Sequence, residues 1–454
     1  MEFESAFEKL EKIQQQHLLR HWETLSQKQK YLLCDQIDGL DISTLHKQQE
    51  TLSKDVFASK ENIEPLRNYE LSGNAEDKRK GKKLLQHGQA GCLIVAGGQG
   101  TRLRFDGPKG MFPVSIFKHK TLFQLFAEKV VAASKQANVA LPLAIMTSPL
   151  NDHATRTFFK ENNLFGLQPD QLFFFTQGIL PFLDKNGYLF LEAPDLIAQG
   201  PDGNGSSLKH FVKAGVWDEW SRRGVKFLNY VLIDNPLADP FDAELLGYHQ
   251  RQKADITIKS IFRQDAHEKV GILVKKEGKI HVVEYSELPQ EESHALDEKG
   301  KLKHQCANLS LFCFDMDFVR QAAFKYYEEM PWHRAFKSVK YLSKEGATLQ
   351  SELPMAWKFE KFIFDVLPFS DNGKVLVYPR EQCFAPLKNY SGEDSIAAVQ
   401  RALQNQDVRT FKEITGLDSP SAPFELSQDF NYPSQALLDK WRGKPLPQAN
   451  YIEA

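Results

Sequence analysis

Cysteine is scarce in this chain, and its five copies lie apart, at Cys34, Cys92, Cys306, Cys313 and Cys383. None forms a Cys-x-x-Cys pair or neighbours a histidine pair, which argues against a structural zinc site and a disulfide-stapled scaffold and fits a reducing compartment. A dominant charge is missing too: the formal net charge of −2 gives no overall drive toward nucleic acid or an anionic membrane. No stretch reaches the ~18 apolar residues of a membrane-spanning helix. The opening MEFESAFEKLEKIQQQ lacks the basic flank and apolar core of a secretory signal. No internal repeat is visible, so a solenoid is not indicated. These absences predict a soluble cytoplasmic protein whose partners are neither nucleic acid nor membrane. Cations for any anionic ligand must then be placed locally.

What is present divides the chain in three. At 454 residues it is long for one hydrophobic core, so a large central domain with smaller lobes is expected. Residues 1–90 read as a helical N-terminal lobe, with Phe3, Phe7, Leu10 and then Leu18, Leu19, Trp22, Leu25 at helical spacing. The basic run Lys78 to Lys83 is short and reads as a solvated helix face. In 91–390, apolar runs alternate with helical stretches, the pattern of an α/β domain. Strands are expected at 93–96, 141–148, 173–175 and 227–233, with a helix over 121–137 (Leu122, Leu125, Phe126, Lys129/Val130) and another starting near Ser207. Such β-α-β units gather the loops after the strands on one edge, where open α/β sheets bind ligands. Short strands follow at 256–262, 270–274 and 280–285; residues 286–303 read as a mobile polar loop, and 391–454 as a small, weakly defined C-terminal lobe.

The stretch that organises the rest is LIVAGGQGTRLRFDGPKGM, 93–111. A buried strand delivers Ala96 into Gly97-Gly98-Gln99-Gly100, a loop with little side-chain bulk whose backbone N–H groups can approach an anion. Thr101, Arg102 and Lys109 add a hydroxyl and two fixed cations suited to a polyphosphate. Spacing separates this loop from two commoner ones. A dinucleotide fingerprint needs a third glycine, which is missing after Gly100, and a Walker A loop needs Gly-Lys-[Ser/Thr], whereas Gly110 follows Lys109. The order G-G-x-G-T-R-L then P-K resembles the signature of nucleoside-diphosphate-sugar pyrophosphorylases, and PKGM followed by HKTLFQ resembles the UDP-N-acetylhexosamine branch.

Other segments carry the same resemblance in the same order. Pro201-Asp202-Gly203-Asn204-Gly205 is similar to the family's PDGNGG, although DGNG taken alone is equally a good β-turn. Gln177, after a strand, resembles the glutamine that pairs with the uracil edge. Asp234 ends a strand and resembles the carboxylate that holds Mg²⁺; alone it reads as a cap or turn residue. Glu284-Tyr285 matches EYSE, Asn308 the second asparagine of N-x-x-N-I, Lys358 and Phe364 the KxEKFVFD segment, and Lys388 the SPLKN lysine.

The resemblance implies a Rossmann-like, GT-A-like nucleotidyltransferase domain with a mixed sheet, joining UTP and a sugar 1-phosphate into a UDP-sugar and pyrophosphate. The expected sugar is N-acetylglucosamine; glucose or galactose 1-phosphate and a catalytically silent UDP-sugar binder are the alternatives. It assigns Arg102, Lys109 and Lys388 to catalysis. Ala96, Gly97, Gly98, Gly100, Thr101, Lys109, Gln177, Gly203, Asp234 and Lys358 would bind nucleotide, with Mg²⁺ at Asp234. Asn204, Glu284, Tyr285, Asn308, Phe364 and Lys388 would bind sugar. A monomer or weak homo-oligomer is expected. The chain departs from the pattern at Arg104 and Ser206, where glycines are usual, and at Gln305, where the first asparagine of N-x-x-N-I is usual.

Overall fold

A computed structural model describes residues 3–53, 63–418, 422–445, 447 and 449–454. Two compact units divide the chain, and each is built from separated segments. The larger comprises 61–177, 207–329 and 363–454, the smaller 1–60, 178–206 and 330–362.

The larger unit is organised on an eleven-stranded mixed sheet. Its strands are β1 (Glu64–Pro65), β2 (Glu70–Leu71), β3 (Ala90–Val95), β4 (Leu143–Thr147), β5 (Leu172–Thr176), β6 (Phe227–Leu232), β7 (Ile256–Phe262), β8 (Gly271–Lys276), β9 (Lys279–Val283), β10 (Cys306–Asp315) and β11 (Gly373–Val377). The main path runs β2-β11-β7-β10-β6-β3-β4-β5, with β8 joining β10 and pairing β9 and β1. From β6 through β3 and β4 to β5 the pairing is parallel. β10 turns the sheet antiparallel on both its flanks. The parallel strands are nearly continuous apolar runs because both faces are covered, as sequences such as LAIMT and AGCLIV dictate.

Local chemistry sets the helix limits. Thr121 caps Leu122–Ala137 by accepting from the Gln124 N–H, and Asn138 ends it in the left-handed region. Asp242 caps Ala243–Gln252. That helix crosses Ala75–Gln86 so closely that a side chain at Gly81 would run into the Ala243 carbonyl, and one at Gly247 into that of Asp77. Only glycine permits this approach. Lys78, Arg79, Lys82 and Lys83 project outward, the solvated face expected of the basic run.

Two segments are more ordered than their composition predicts. Within 286–303, a short helix Gln290–His294 and a bridge between Leu296 and Leu302 fold the loop onto itself, and Glu292 pairs with Lys303 and the buried His304. Beyond 395, the twenty-residue helix Ile396–Thr415 and the short helix Gln435–Trp441 enclose a core of Phe411, Phe424, Leu426, Phe430, Leu437, Trp441 and Ile452. Aromatic residues spread thinly among polar ones build that core, which is why local composition underrates it.

The smaller unit packs the N-terminal helices Phe3–Lys12, Gln27–Gly39 and Ile42–Ser53 with short strands. One core holds Ala6, Leu10, Leu18, Leu33 and Ile37 together with Leu183, Leu191, Leu342 and Phe359. A Ser26–Gln29 capping box starts the second helix.

Candidate active site

Strands β6, β3, β4 and β5 run parallel and end on one edge of the larger unit. Most of the expected nucleotide residues lie in the segments that leave them. Ala96 follows β3, its N–H held by the Met146 carbonyl at 2.8 Å. The Gly-rich loop then folds back: the Gly100 N–H donates to the Gly107 carbonyl (2.9 Å) and the Lys109 N–H to that of Gly98 (3.1 Å). A Cβ at Gly100 would lie 2.8 Å from the Phe105 ring, whereas one at Gly98 would meet nothing within 4 Å. The glycines thus serve different ends, one for tight packing and one for open approach.

Gln177 leaves β5 with its N–H on the Thr147 carbonyl (2.9 Å) and is buried. Its amide lies against the loop: a Cβ at Gly97 would come within 2.7 Å of Nε2. Asn151 donates to the Ala96 carbonyl at 3.0 Å and accepts from the Ser148 N–H at 2.7 Å. Asn151 was not anticipated from sequence. The faint signal was its place just after a strand, four residues beyond Thr147.

After β6 comes Asp234, with Oδ2 3.8 Å from Lys109 Nζ. Lys109 Nζ also reaches the Leu387 carbonyl at 3.5 Å, while the Leu387 N–H donates to the Asp234 carbonyl at 2.7 Å. Buried Asn235 donates to the Cys383 carbonyl (2.8 Å) and accepts from the Ala385 N–H (3.0 Å). Residues 383–387 are thereby stitched to 234–235, which brings Lys388 to the same edge. Lys388 Nζ sits 3.4 Å from Asp394 Oδ2. Behind this segment, buried Lys129 donates to the carbonyls of Pro236 (2.6 Å) and Ala238 (3.0 Å). Burial pushes its pKa down to about 8, against the pull of Asp239 and Asp407. The sequence signal was a lysine on the apolar face of an amphipathic helix.

Arg102 and Thr101 are exposed on the helical turn Thr101–Leu103. Arg104 ends that turn at φ +56°, the left-handed region in which glycine is least strained, and its guanidinium lies 4.7 Å from the Tyr390 ring centroid. The glycine usual at this position is explained by that backbone conformation.

A second group sits beside a β-bulge. The β7–β10 register slips between Lys259 and Ser260, and Ser310 on the facing strand takes φ +52° with its N–H on Asn308 Oδ1 (3.1 Å). Asn308 and Glu284 converge on Gly271: a Cβ there would lie 3.3 Å from Glu284 Oε1 and 3.6 Å from Asn308 Cβ. Tyr285 is exposed, past the end of β9, and Phe364 is buried in the turn Ile363–Phe369.

In the smaller unit, Gly203 (φ +89°) and Gly205 press on the Lys361 backbone, where any Cβ would collide. The Gly205 N–H donates to the Lys361 carbonyl (2.8 Å) and the Lys361 N–H to that of Asp202 (3.1 Å). Ser206 is fully buried, its hydroxyl donating to Asp202 Oδ1 at 2.8 Å, so this departure is absorbed inside the loop. Asn204 opens the turn Asn204–Ser206, and Lys358 pairs with Glu360 at 2.7 Å.

The chain matches the UTP–glucose-1-phosphate uridylyltransferase family over residues 40–417. It belongs to that family. Its substrates are accordingly UTP and a sugar 1-phosphate, and its chemistry is uridylyl transfer. The chain is 32% identical over 463 residues to the UDP-N-acetylglucosamine pyrophosphorylase of Saccharomyces cerevisiae, covering 96% of this chain and 97% of that one. UDP-N-acetylglucosamine diphosphorylase 1 of Arabidopsis thaliana is 32% identical, covering 86% and 80%. Among solved structures, the Trypanosoma brucei uridine diphosphate N-acetylglucosamine pyrophosphorylase in complex with inhibitor superposes with a TM-score of 0.83 at 27% identity, covering 96% of this chain and 94% of that one. The α/β architecture with its large mixed sheet is thus that of a uridylyltransferase. No helix among the described residues is long and apolar enough to cross a membrane.

Proposed function

We propose that this uridylyltransferase makes UDP-N-acetylglucosamine from UTP and N-acetylglucosamine 1-phosphate. The observation that carries the sugar assignment is the 32% identity to the yeast UDP-N-acetylglucosamine pyrophosphorylase over nearly the full length of both chains. For the chemistry, the support is the pairing of Lys109 with Asp234, in the segments that follow the neighbouring parallel strands β3 and β6.

In this reading the Gly-rich loop, from Ala96 to Thr101, cradles the triphosphate. Gln177, pressed on Gly97, pairs with the uracil edge; the family resemblance assigns further nucleotide contacts to Gly203 and Lys358. Glu284, Tyr285, Asn308, Phe364 and Lys388 receive the sugar phosphate, and the family resemblance assigns Asn204 to the sugar as well. Among the described residues no three His, Cys, Asp or Glu side chains form a ready-made metal cage. Magnesium keeps several waters and is commonly held by one or two carboxylates plus phosphates, so the partly exposed Asp234 fits it. When bound, the ion would neutralise phosphate charge.

A sugar 1-phosphate, with a second pKa of about 6 by analogy with other phosphomonoesters, already presents a charged oxygen at neutral pH. That oxygen forms a bond to the UTP α-phosphorus as the bond to the β-phosphate bridging oxygen breaks, releasing pyrophosphate. No general base is required. Arg102, Lys109 and Lys388 stabilise the charge that develops. A pyrophosphate-release assay with UTP, Mg²⁺ and a panel of hexose 1-phosphates tests the reading. A preference for glucose or galactose 1-phosphate overturns the sugar assignment, and UDP-sugar binding without pyrophosphate release overturns the enzymatic one.

A further inference from the structure

Arg104 occupies a backbone conformation that is unfavourable for it. At φ +56° and ψ +36° it closes the turn Thr101–Leu103, and its N–H donates to the Thr101 carbonyl at 3.0 Å. A side chain with a Cβ costs about 1 kcal/mol or more there relative to glycine. What the side chain does is visible at its far end. The guanidinium lies 4.7 Å from the centroid of the Tyr390 ring, two residues beyond Lys388. Tyr390 is half exposed, with its ring free to serve as a platform.

The two segments so joined have other ties. Lys109 Nζ reaches the Leu387 carbonyl at 3.5 Å, and the N–H groups of Lys388 and Asn389 both donate to the Asp394 carbonyl, at 2.8 and 3.1 Å. The 388–395 segment is therefore a closed turn, anchored at its base on Asp234 and Lys109. Its outer rim touches the Gly-rich loop through Arg104. A turn held only at its base can swing, and Lys388 would swing with it.

We propose that Arg104 is a positioning residue that clasps Tyr390 and so fixes the spacing between the Gly-rich loop and the turn that presents Lys388. This rests on the reading above, in which both segments face phosphates. Arg104 itself needs no contact with substrate.

The test is a double-mutant cycle on Arg104→Gly and Tyr390→Ala, read as KM for UTP and for the sugar 1-phosphate, kcat, and melting temperature. Glycine suits the backbone at 104, so Arg104→Gly should keep or raise the melting temperature. Each single variant should raise KM for the sugar 1-phosphate ~2–5-fold, the range a cation–π contact of this kind supports. The double variant should be no worse than either alone, and Tyr390→Phe, which keeps the ring, should behave as the parent. Arg104→Lys should fall between, since an ammonium stacks less well. Unchanged KM in Arg104→Gly, additive effects in the double variant, or a loss of melting temperature with KM intact would each overturn the clasp. Lys109→Ala measured alongside separates the two levels. If it too leaves turnover intact, the phosphate-site reading fails; if it alone is severe, only the clasp fails.

Discussion

Lys109 touches both the Asp234 carboxylate and the Leu387 carbonyl, so a single ammonium helps hold two segments. Its replacement by alanine should lower kcat/KM by on the order of 10²-fold or more, the scale of losing one charged contact in a transition state. Steady-state kinetics with saturating Mg²⁺ check this. Gln177→Ala should narrow the preference for UTP over CTP, measured as the ratio of their kcat/KM values; an unchanged ratio would remove Gln177 from base recognition. These residues were singled out by their resemblance to the family's motifs, since a glutamine or aspartate after an apolar strand, taken alone, reads as a structural, cap or turn residue. Asn151 and Lys129 could not be read in this way. Their partners are backbone carbonyls of Ala96, Pro236 and Ala238, and a carbonyl leaves no mark on the sequence.

At the level of elements, Asn235 is the pin between the strand β6 and the segment 383–387. Asn235→Ala removes both hydrogen bonds and leaves buried backbone groups unpaired, a cost of about 1–3 kcal/mol. The expected outcome is a lower melting temperature together with a higher Mg²⁺ concentration for half-maximal activity, because Asp234 is the adjacent residue. A lower melting temperature with an unmoved Mg²⁺ midpoint would confine Asn235 to stability. The parallel strands were legible as uninterrupted apolar runs bounded by glycine or polar residues. The long strand β10 was harder to foresee, since CANLSLFCFD is broken by Asn308 and Ser310 at the bulge. That irregularity is what turns Asn308 toward Glu284 and Gly271. The order within 286–303 was hidden for another reason: it depends on Glu292, Lys303 and His304 pairing across a loop.

For the whole molecule, acid should be a sensitive variable. His249 is buried, its ring hydrogen-bonded to Thr257 Oγ1 and packed on Phe227, and burial pushes its pKa down to about 3. Its folded pKa lies below the unfolded value of 6.5, so unfolding takes up a proton as pH falls below that value. Stability should be fully present above it and decline by up to about 1.4 kcal/mol per pH unit toward about 3. Thermal unfolding from pH 7.5 to 5 should show a shallower decline in His249→Gln than in the parent. Trp441→Ala, which hollows the core around Phe411 and Phe430, should cost about 3–5 kcal/mol, measured by chemical denaturation. Interleaving of the two units was not legible at all: nothing in the composition of 178–206 or 330–362 says that they return to helices near the N-terminus.

The stitch between Asp234 and Leu387 also sets a timetable. Lys109 and Leu387 are 278 residues apart, so at about 5–20 residues per second a ribosome needs roughly a quarter of a minute to a minute between making the one and the other. During that interval Lys109 lacks the Leu387 carbonyl, and once Asp234 has been made the pair still waits for the segment that braces it.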